Sequence, residues 1–200
     1  PKPLIKAGGR PLIEHLILGL VKGGIEEIIV NTAHLSHLVE EALGDGSRLG
    51  ASIQYSPEAE ALETGGGIFQ ALPLLGKDPF LVINGDIATD FPFESLQNLS
   101  LDLAHLVLVP NPPHHPQGDF GLMDGRAMDG GEPKFTFGGI GVYHPDLFKD
   151  EKPGRFPLAP LLRKGMGLGK ISAELYSGLW MDIGTIERLS LFDQWLKAKG

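Results

Sequence analysis

Apolar residues recur in two alternating patterns along the first half of the chain. One pattern has the three-to-four-residue spacing of helices that bury a single face, and the other is a short unbroken apolar run typical of strands. The predicted helices cover 12–21, 35–43 and 68–75, and the predicted strands cover 26–31, 51–55 and 79–86. This alternation through short connections indicates βαβ units. We therefore predict an α/β fold, a Rossmann-like and mostly parallel sheet with helices on both faces.

The pattern changes after a further predicted strand at 104–109. A proline-rich loop at 111–116 is followed by short apolar segments joined by glycine turns, which predict a small mixed β region. Helices are predicted at 156–162 and at 186–196, the latter with Thr185 as its N-cap. We expect a single domain over 1–200, composed of the halves 1–110 and 111–200.

Two apolar runs end at an aspartate. The unbroken run at 79–86 predicts a strand buried on both faces, at the centre of a parallel sheet. It ends with Asn84, Gly85 and Asp86, and a second run ends near Asp182. A carboxylate just past a strand's carboxyl end lies where open α/β sheets bind ligands. Two such carboxylates from separate strands form a hard oxygen site suited to Mg²⁺. The alternative is that both aspartates are ordinary surface turn residues.

Two further segments suit phosphate or nucleotide chemistry. Residues Glu63–Gly67 combine glycines, which let a ligand approach the backbone, with the expected start of a helix, where N–H groups are free. Lys2 lies between two prolines that stiffen its backbone, so its ammonium could be held against phosphate oxygens. The alternative for Glu63–Gly67 is a tight turn with no ligand, and the alternative for Lys2 is an exposed, solvated lysine.

Neither His34 with His37 nor His114 with His115 has further residues at metal-ligand spacing, so both pairs are interpreted as surface or loop histidines.

Composition narrows the classes of partner. The formal net charge is −8, which argues against nucleic acid and against an anionic membrane surface. The sequence has no apolar run of membrane-spanning length. The absence of cysteine suits a reducing compartment, so we expect a cytoplasmic protein.

Five motifs in order resemble those of the sugar-1-phosphate nucleotidyltransferase family. They are Pro-Lys-Pro-Leu (1–4), Gly-Arg-Pro-Leu-Ile-Glu (9–14), Leu-Glu-Thr-Gly-Gly-Gly (62–67), Asn-Gly-Asp (84–86) and Trp-x-Asp-x-Gly-Thr (180–185). The resemblance implies a Mg²⁺-dependent enzyme that joins a nucleoside triphosphate to a sugar 1-phosphate and releases pyrophosphate.

The resemblance also implies roles for individual residues. Asp86 and Asp182 would hold Mg²⁺, and Lys2 would act catalytically on the phosphates. Residues 1–110 would bind the nucleotide and 111–200 the sugar. The nucleotide would also be contacted by Glu58, Glu63, Thr64 and Gly65. The sugar phosphate would be contacted by Asn84, Asp119 and Gly139.

Within the family, the blocks at 55–58, 62–67, 114–120 and 180–185 are most similar to members that use UTP and N-acetylmuramic acid 1-phosphate in peptidoglycan recycling. Transfer of a guanylyl group to mannose 1-phosphate is the alternative substrate pair. Another alternative is a non-catalytic regulatory protein that binds nucleotide sugars. A related glycosyltransferase would be expected to carry Asp-x-Asp at the metal, and residues 86–88 are Asp-Ile-Ala. A monomer or weak homo-oligomer is expected.

Two features depart from the family pattern. The family carries a strand and a glycine-rich loop with an arginine before Pro-Lys-Pro-Leu, and the sequence has neither. We expect them to belong to the protein and to precede the given sequence. Gly138 stands where relatives often have a hydroxyl residue, which weakens the case for a sugar contact there.

Overall fold

A computed structural model of the protein describes residues 2–33 and 35–199. Pro1, which precedes the motif lysine, lies outside the described residues, as do Gly200 and His34, one of the predicted surface histidines. Within the described ranges, no helix is long and apolar enough to cross a membrane.

Helices and strands alternate from residue 10 to residue 83, and the strands between residues 80 and 143 then follow one another with no α-helix between them. The helices are α1 (Leu12–Lys22), α2 (Ser36–Leu43), α3 (Glu63–Leu75), α4 (Ala159–Gly167) and α5 (Ile186–Lys199). The strands are β1 (Lys6–Ala7), β2 (Arg10–Pro11), β3 (Glu27–Thr32), β4 (Ser52–Pro57), β5 (Phe80–Ile83), β6 (Ile87–Thr89), β7 (Ala104–Val109), β8 (Phe120–Met123), β9 (Arg126–Met128), β10 (Lys134–Tyr143), β11 (Ile171–Leu175) and β12 (Trp180–Asp182).

The chain divides into two compact units, each assembled from distant segments. The first unit consists of Pro1–Glu60, Asn84–Gln97 and Gly178–Gly200, and the second of Ala61–Ile83 and Asn98–Ser177. The proline-rich loop therefore lies inside the second unit, and these units do not coincide with the halves 1–110 and 111–200. The assignment of those halves to nucleotide and sugar stays a prediction.

Helix α1 organises the first unit because two sides of it are buried. Ile13 and Ile17 pack in a cluster with residues of α2 and β4. Leu12, only 1% exposed, packs instead with Ala88 of β6 and Phe192 of α5. Burial of each such aliphatic side chain contributes roughly 1.5–3 kcal/mol. Strands β3 and β4 pair in parallel beside this helix, as expected for a βαβ unit.

A six-stranded mixed sheet forms the second unit. Its order is β5-β10-β7-β11-β9-β8, with β10 also paired to β8. β7 and β11 run parallel and the other pairs are antiparallel. The core beneath it includes the fully buried Leu106, Leu108 and Ile171, with Tyr143 and Phe148.

The predicted α/β architecture is confirmed, but the prediction of a mostly parallel sheet is wrong for the described strands. Only β3–β4 and β7–β11 pair in parallel, because most neighbouring strands of the second unit are joined by hairpins or return connections. The place of one strand also differs from the expectation. We expected 79–86 to be a central strand buried on both faces. β5 instead pairs antiparallel with β10, and Phe80 is the one buried residue of this strand, at 8% exposed. The described part of the chain places no strand on the other edge of β5. A strand preceding residue 1 stays a prediction.

Two helix boundaries also differ. α3 begins at Glu63, so the glycines form its first turns rather than a preceding loop. α4 begins at Ala159 rather than at residue 156, with a proline in its first turn. Phe156 lies outside that helix because its carbonyl accepts from Gly66 N at 3.0 Å rather than from an N–H group of α4, and its own N–H donates to Leu62 O at 3.1 Å.

Glu14, the last residue of the 9–14 motif, is a buried structural anion. Arg48 donates to both of its carboxylate oxygens, at 2.6 and 3.4 Å, while the Glu14 side chain is only 9% exposed. These hydrogen bonds from Arg48 hold the pKa of the Glu14 carboxyl below its ordinary value. A lowered carboxyl pKa stabilises the fold above the unfolded-state pKa, and this contribution is lost as pH falls through the folded-state value.

We expect Glu14→Gln to lower the urea midpoint of unfolding at pH 7, because Arg48 loses its charged acceptor. The difference from wild type should shrink as the pH is lowered through the Glu14 pKa, where the wild-type carboxylate becomes protonated. Urea titrations from pH 7 to pH 3 measure this, with Glu41→Gln at an exposed position of α2 as the control. Equal wild-type and Glu14→Gln midpoints at pH 7 would contradict the prediction.

Candidate active site

The two predicted metal-binding aspartates lie beside each other in the first unit. β6 and β12 pair antiparallel, with Asp182 opposite Ile87. The next residue, Ile183, donates its N–H to the carbonyl of Asp86 at 2.7 Å. Asp86 and Asp182 are both half-buried. Asp86 and Asp182 are therefore diagonal neighbours across the strand pair, although almost a hundred residues separate them in the sequence.

Buried side chains and side-chain caps fix this strand pair. Ile87, Ala88 and Ile183 are each no more than 3% exposed. At the other end of the pair, Thr89 Oγ1 donates to Leu179 O at 2.8 Å, and Asp90 Oδ1 accepts from Leu179 N at 2.8 Å. The carboxylates thus stand at one end of a short ladder whose other end is held by hydrogen bonds.

An arginine that sequence reasoning missed contacts one of the aspartates. Arg188 Nη1 donates to Asp182 Oδ1 at 3.0 Å. Arg188 lies in the first turn of α5, where its N–H donates to Thr185 Oγ1 at 3.3 Å, as expected of the predicted N-cap. The spacing Asp-x-Gly-Thr-x-x-Arg was the available signal, because a strand that turns directly into a helix returns the first helical turn toward the end of the strand.

Lys2 lies close to the Asn84–Asp86 turn. It opens a short 3₁₀ turn, Lys2–Leu4, which Ile5 N closes by donating to Lys2 O at 3.0 Å. A Cβ atom added to Gly85 would lie 3.6 Å from Pro3, so this turn and the Asn84–Asp86 turn are neighbours. The side chains of Lys2 and Asn84 are exposed. Lysine and aspartates therefore belong to one region of the first unit.

Glu58 lies where the parallel pair β3–β4 ends. Its N–H donates to Thr32 O at 2.6 Å, which continues the β3–β4 ladder by one residue. The side chain is half-buried. The backbone there is fixed by the sheet, and the predicted contact of Glu58 with the nucleotide stays a prediction.

The Glu63–Gly67 segment of the second unit is glycine-rich for a packing reason. A Cβ atom on Gly65 would lie 2.6 Å from the Phe156 ring, and one on Gly66 would lie 2.3 Å from Gly154 O. Segment 154–156 thus occupies the space that we expected a ligand to use at these two positions. Glu63 has a φ of 62° and accepts from Arg155 Nε at 2.9 Å. The roles of Glu63, Thr64 and Gly65 toward a nucleotide stay predictions.

Asp119 ties the proline-rich loop of the second unit to β10. Its Oδ2 accepts from Phe137 N at 2.8 Å, and its Oδ1 lies 3.0 Å from His115 Nε2. The pairing of β10 with β7 shifts between Phe137 and Ile140, and Gly139 in that bulge has a φ of 68°. Asp119 therefore holds the bulge in place, and a contact of Asp119 or Gly139 with a sugar phosphate stays a prediction.

The sequence and the fold both match known proteins. A family profile described as nucleotidyl transferase matches residues 1–132. An N-acetylmuramate alpha-1-phosphate uridylyltransferase from Neisseria meningitidis serogroup B is 46% identical, over 94% of this chain and 86% of that protein. A protein with the same name from Caulobacter vibrioides is 32% identical, over 92% of this chain and 83% of its own length.

A solved structure shares the fold at low sequence identity. A putative glucose-1-phosphate thymidylyltransferase from Bacillus anthracis, solved with sucrose, superimposes with a TM-score of 0.83. The match covers 97% of this chain and 85% of that chain, at 23% identity. At this identity the likeness shows the fold alone.

The packing of the glycine segment generates a stability prediction. Gly66→Ala should lower the free energy of unfolding by about 1–3 kcal/mol, because its Cβ atom cannot fit beside Gly154 O without moving the backbone. Urea unfolding followed by circular dichroism measures the loss. Gly167→Ala, at the end of α4, is the matched control because an added Cβ atom has no neighbour within 4 Å there. A Gly66→Ala protein as stable as Gly167→Ala would refute the packing account.

Proposed function

Because the chain belongs to the nucleotidyl transferase family, we propose that it transfers a uridylyl group from UTP to N-acetylmuramic acid 1-phosphate. The products are the UDP-linked amino sugar and pyrophosphate. Two relatives that carry this activity in their names support the choice of substrates, and both align over more than nine tenths of the chain.

The observation that carries the proposal is the β6–β12 register, which brings Asp86 and Asp182 to the same end of one strand pair. Two carboxylates fit Mg²⁺, because this ion takes one or two protein carboxylates and completes its shell with water and substrate phosphates. No group of three potential ligands occurs among residues 2–33 and 35–199. A donor set of two aspartates therefore suits an ion shared with a triphosphate better than one enclosed by protein.

The reaction requires position and charge neutralisation more than covalent chemistry. An oxygen of the sugar phosphate attacks the α-phosphorus of UTP, and the bond from that phosphorus to the pyrophosphate oxygen breaks in line. When bound, Mg²⁺ polarises the phosphate oxygens and offsets their charge. Asp86 and Asp182 would hold the ion, on a backbone that the buried Ile87 and Ile183 keep fixed.

Lys2 would supply a second positive charge. Its exposed side chain begins on the 3₁₀ turn that neighbours Asn84–Asp86, so the ammonium can reach phosphates held at the aspartates without entering a hydrophobic core. A lysine ammonium acts as a point charge on phosphate oxygens and needs no fixed orientation. The ammonium can therefore act on the phosphates although the side chain that carries it is flexible.

The substrate assignment is tested by pyrophosphate release from a panel of nucleotides and sugar phosphates. We expect the full-length protein with Mg²⁺ to release pyrophosphate fastest from UTP with N-acetylmuramic acid 1-phosphate. Faster release from GTP with mannose 1-phosphate would reject the substrate pair and retain the chemistry. No release from any pair, together with binding of a nucleotide sugar, would favour a regulatory protein.

The role of the aspartates is tested separately. Asp86→Asn and Asp182→Asn should each reduce turnover by about a hundredfold or more, because each removes a charged metal ligand. Both aspartates are only half-buried, so the thermal unfolding midpoint should change little. Asp146→Asn, an exposed aspartate in the second unit, is the control for the substitution itself. Near-normal Mg²⁺-dependent turnover in either site variant would overturn the assignment.

A further inference from the structure

The carboxylate of Asp182 is contacted from within its own segment of chain. Arg188 Nη1 lies 3.0 Å from Asp182 Oδ1, and the side chains are 21% and 33% exposed respectively. Asp86, in contrast, is brought to Asp182 by the neighbouring strand β6. The guanidinium thus comes from the chain segment that follows Asp182, whereas Asp86 adjoins Asp182 through the backbone of the neighbouring strand.

Gly184 makes room for this contact. A Cβ atom added to it would lie 2.5 Å from Arg188 Nη2 and 3.6 Å from Asp182 Oδ2. Its φ is outside the left-handed region, so the backbone conformation does not itself require glycine. A glycine at this position therefore leaves room for the guanidinium where it now lies, and a larger residue would displace it.

Thr185 completes the arrangement by fixing where α5 begins. Its hydroxyl accepts from Arg188 N at 3.3 Å, and its carbonyl accepts from Leu189 N at 3.1 Å. The first turn of the helix is thereby set two residues beyond Gly184. Because helical side chains project back toward the N-terminus, Arg188 is directed toward Asp182.

We propose that Arg188 is a positioning residue that orients the Asp182 carboxylate for a divalent cation, and that Gly184 stays small to seat its guanidinium. This inference rests on the proposed role of Asp182 as a metal ligand. A carboxylate accepts at about four lone-pair positions, and the contact with Nη1 uses one of them. Hydrogen-bonding partners of metal ligands fix the ligand's orientation, and their loss typically costs about 10–100-fold in metal affinity or activity.

The alternative interpretation is that the guanidinium occupies the position of the cation and competes with it, and this predicts the opposite change in metal affinity. Removal of a competing positive charge would tighten metal binding, whereas removal of an orienting partner weakens it. The sign of the change in metal affinity therefore separates the two interpretations.

The test uses Mn²⁺ titrations of the full-length protein followed by electron paramagnetic resonance, together with the Mg²⁺ concentration that half-saturates turnover. Arg188→Ala should weaken Mn²⁺ binding about 10–100-fold and raise the half-saturating Mg²⁺ concentration similarly. Gly184→Ala should do the same, because its Cβ atom displaces the guanidinium. The double variant should bind Mn²⁺ no more weakly than Arg188→Ala alone, since both substitutions remove one interaction.

Arg163→Ala is the matched control, because Arg163 also lies on a helix and pairs with an aspartate, Asp129, at 2.8 Å in the second unit. It should leave Mn²⁺ affinity at the wild-type value. Unchanged or tighter Mn²⁺ binding by Arg188→Ala, or additive losses in the double variant, would overturn the inference. Thermal unfolding midpoints of all variants show whether a loss of affinity merely follows a loss of structure, which would also overturn it.

The same titration distinguishes failure of this inference from failure of the proposed function. If wild type binds Mn²⁺ and Asp182→Asn does not, while Arg188→Ala binds as wild type does, only the role of Arg188 is rejected. If Asp182→Asn binds Mn²⁺ as well as wild type does, the role of Asp182 as a ligand and the inference built on it are both rejected.

Discussion

The antiparallel pairing of β6 with β12 is the constraint on which the candidate site depends. It joins two segments separated by the whole of β7 to β11, so its formation requires closure of a long loop, at an entropic cost that grows slowly with length. Burial of Ile87, Ala88 and Ile183 offsets this cost. The two strands are far apart in the sequence, yet their register places the backbones of Asp86 and Asp182 at neighbouring positions.

The sequence predicted this part of the molecule because its signals were local to each strand. Two apolar runs that end in an acid predicted two strand ends with carboxylates, and the α/β alternation predicted which parts of the chain are helices and strands. The partner of each strand was less predictable. β5 was expected in the centre of a parallel sheet, but it pairs antiparallel with β10, which follows it by about fifty residues. An apolar run reports burial and does not report the direction of its neighbour.

Gly65 and Gly66 show a second limit on what the sequence can predict. A glycine-rich helix start is compatible with a bound ligand and with close protein packing, and the sequence does not separate the two. The packing partner is segment 154–156, about ninety residues away. Glu14 similarly belongs to the 9–14 motif, and its partner Arg48 follows it by thirty-four residues, a spacing that no helical or strand periodicity reveals. Arg188 differs, because the short spacing from Asp182 made it accessible to sequence reasoning.

Stability alone does not account for the arrangement of Asp182, Gly184 and Arg188. A partly exposed ion pair contributes about 0–1 kcal/mol, and it confines two side chains to one geometry. A glycine in place of another residue also increases the conformational entropy lost on folding. The ion pair by itself thus adds little to the free energy of unfolding, and we attribute its placement beside a small residue to the orientation that it imposes on the carboxylate. The carboxylate so oriented is the one that β12 places beside Asp86.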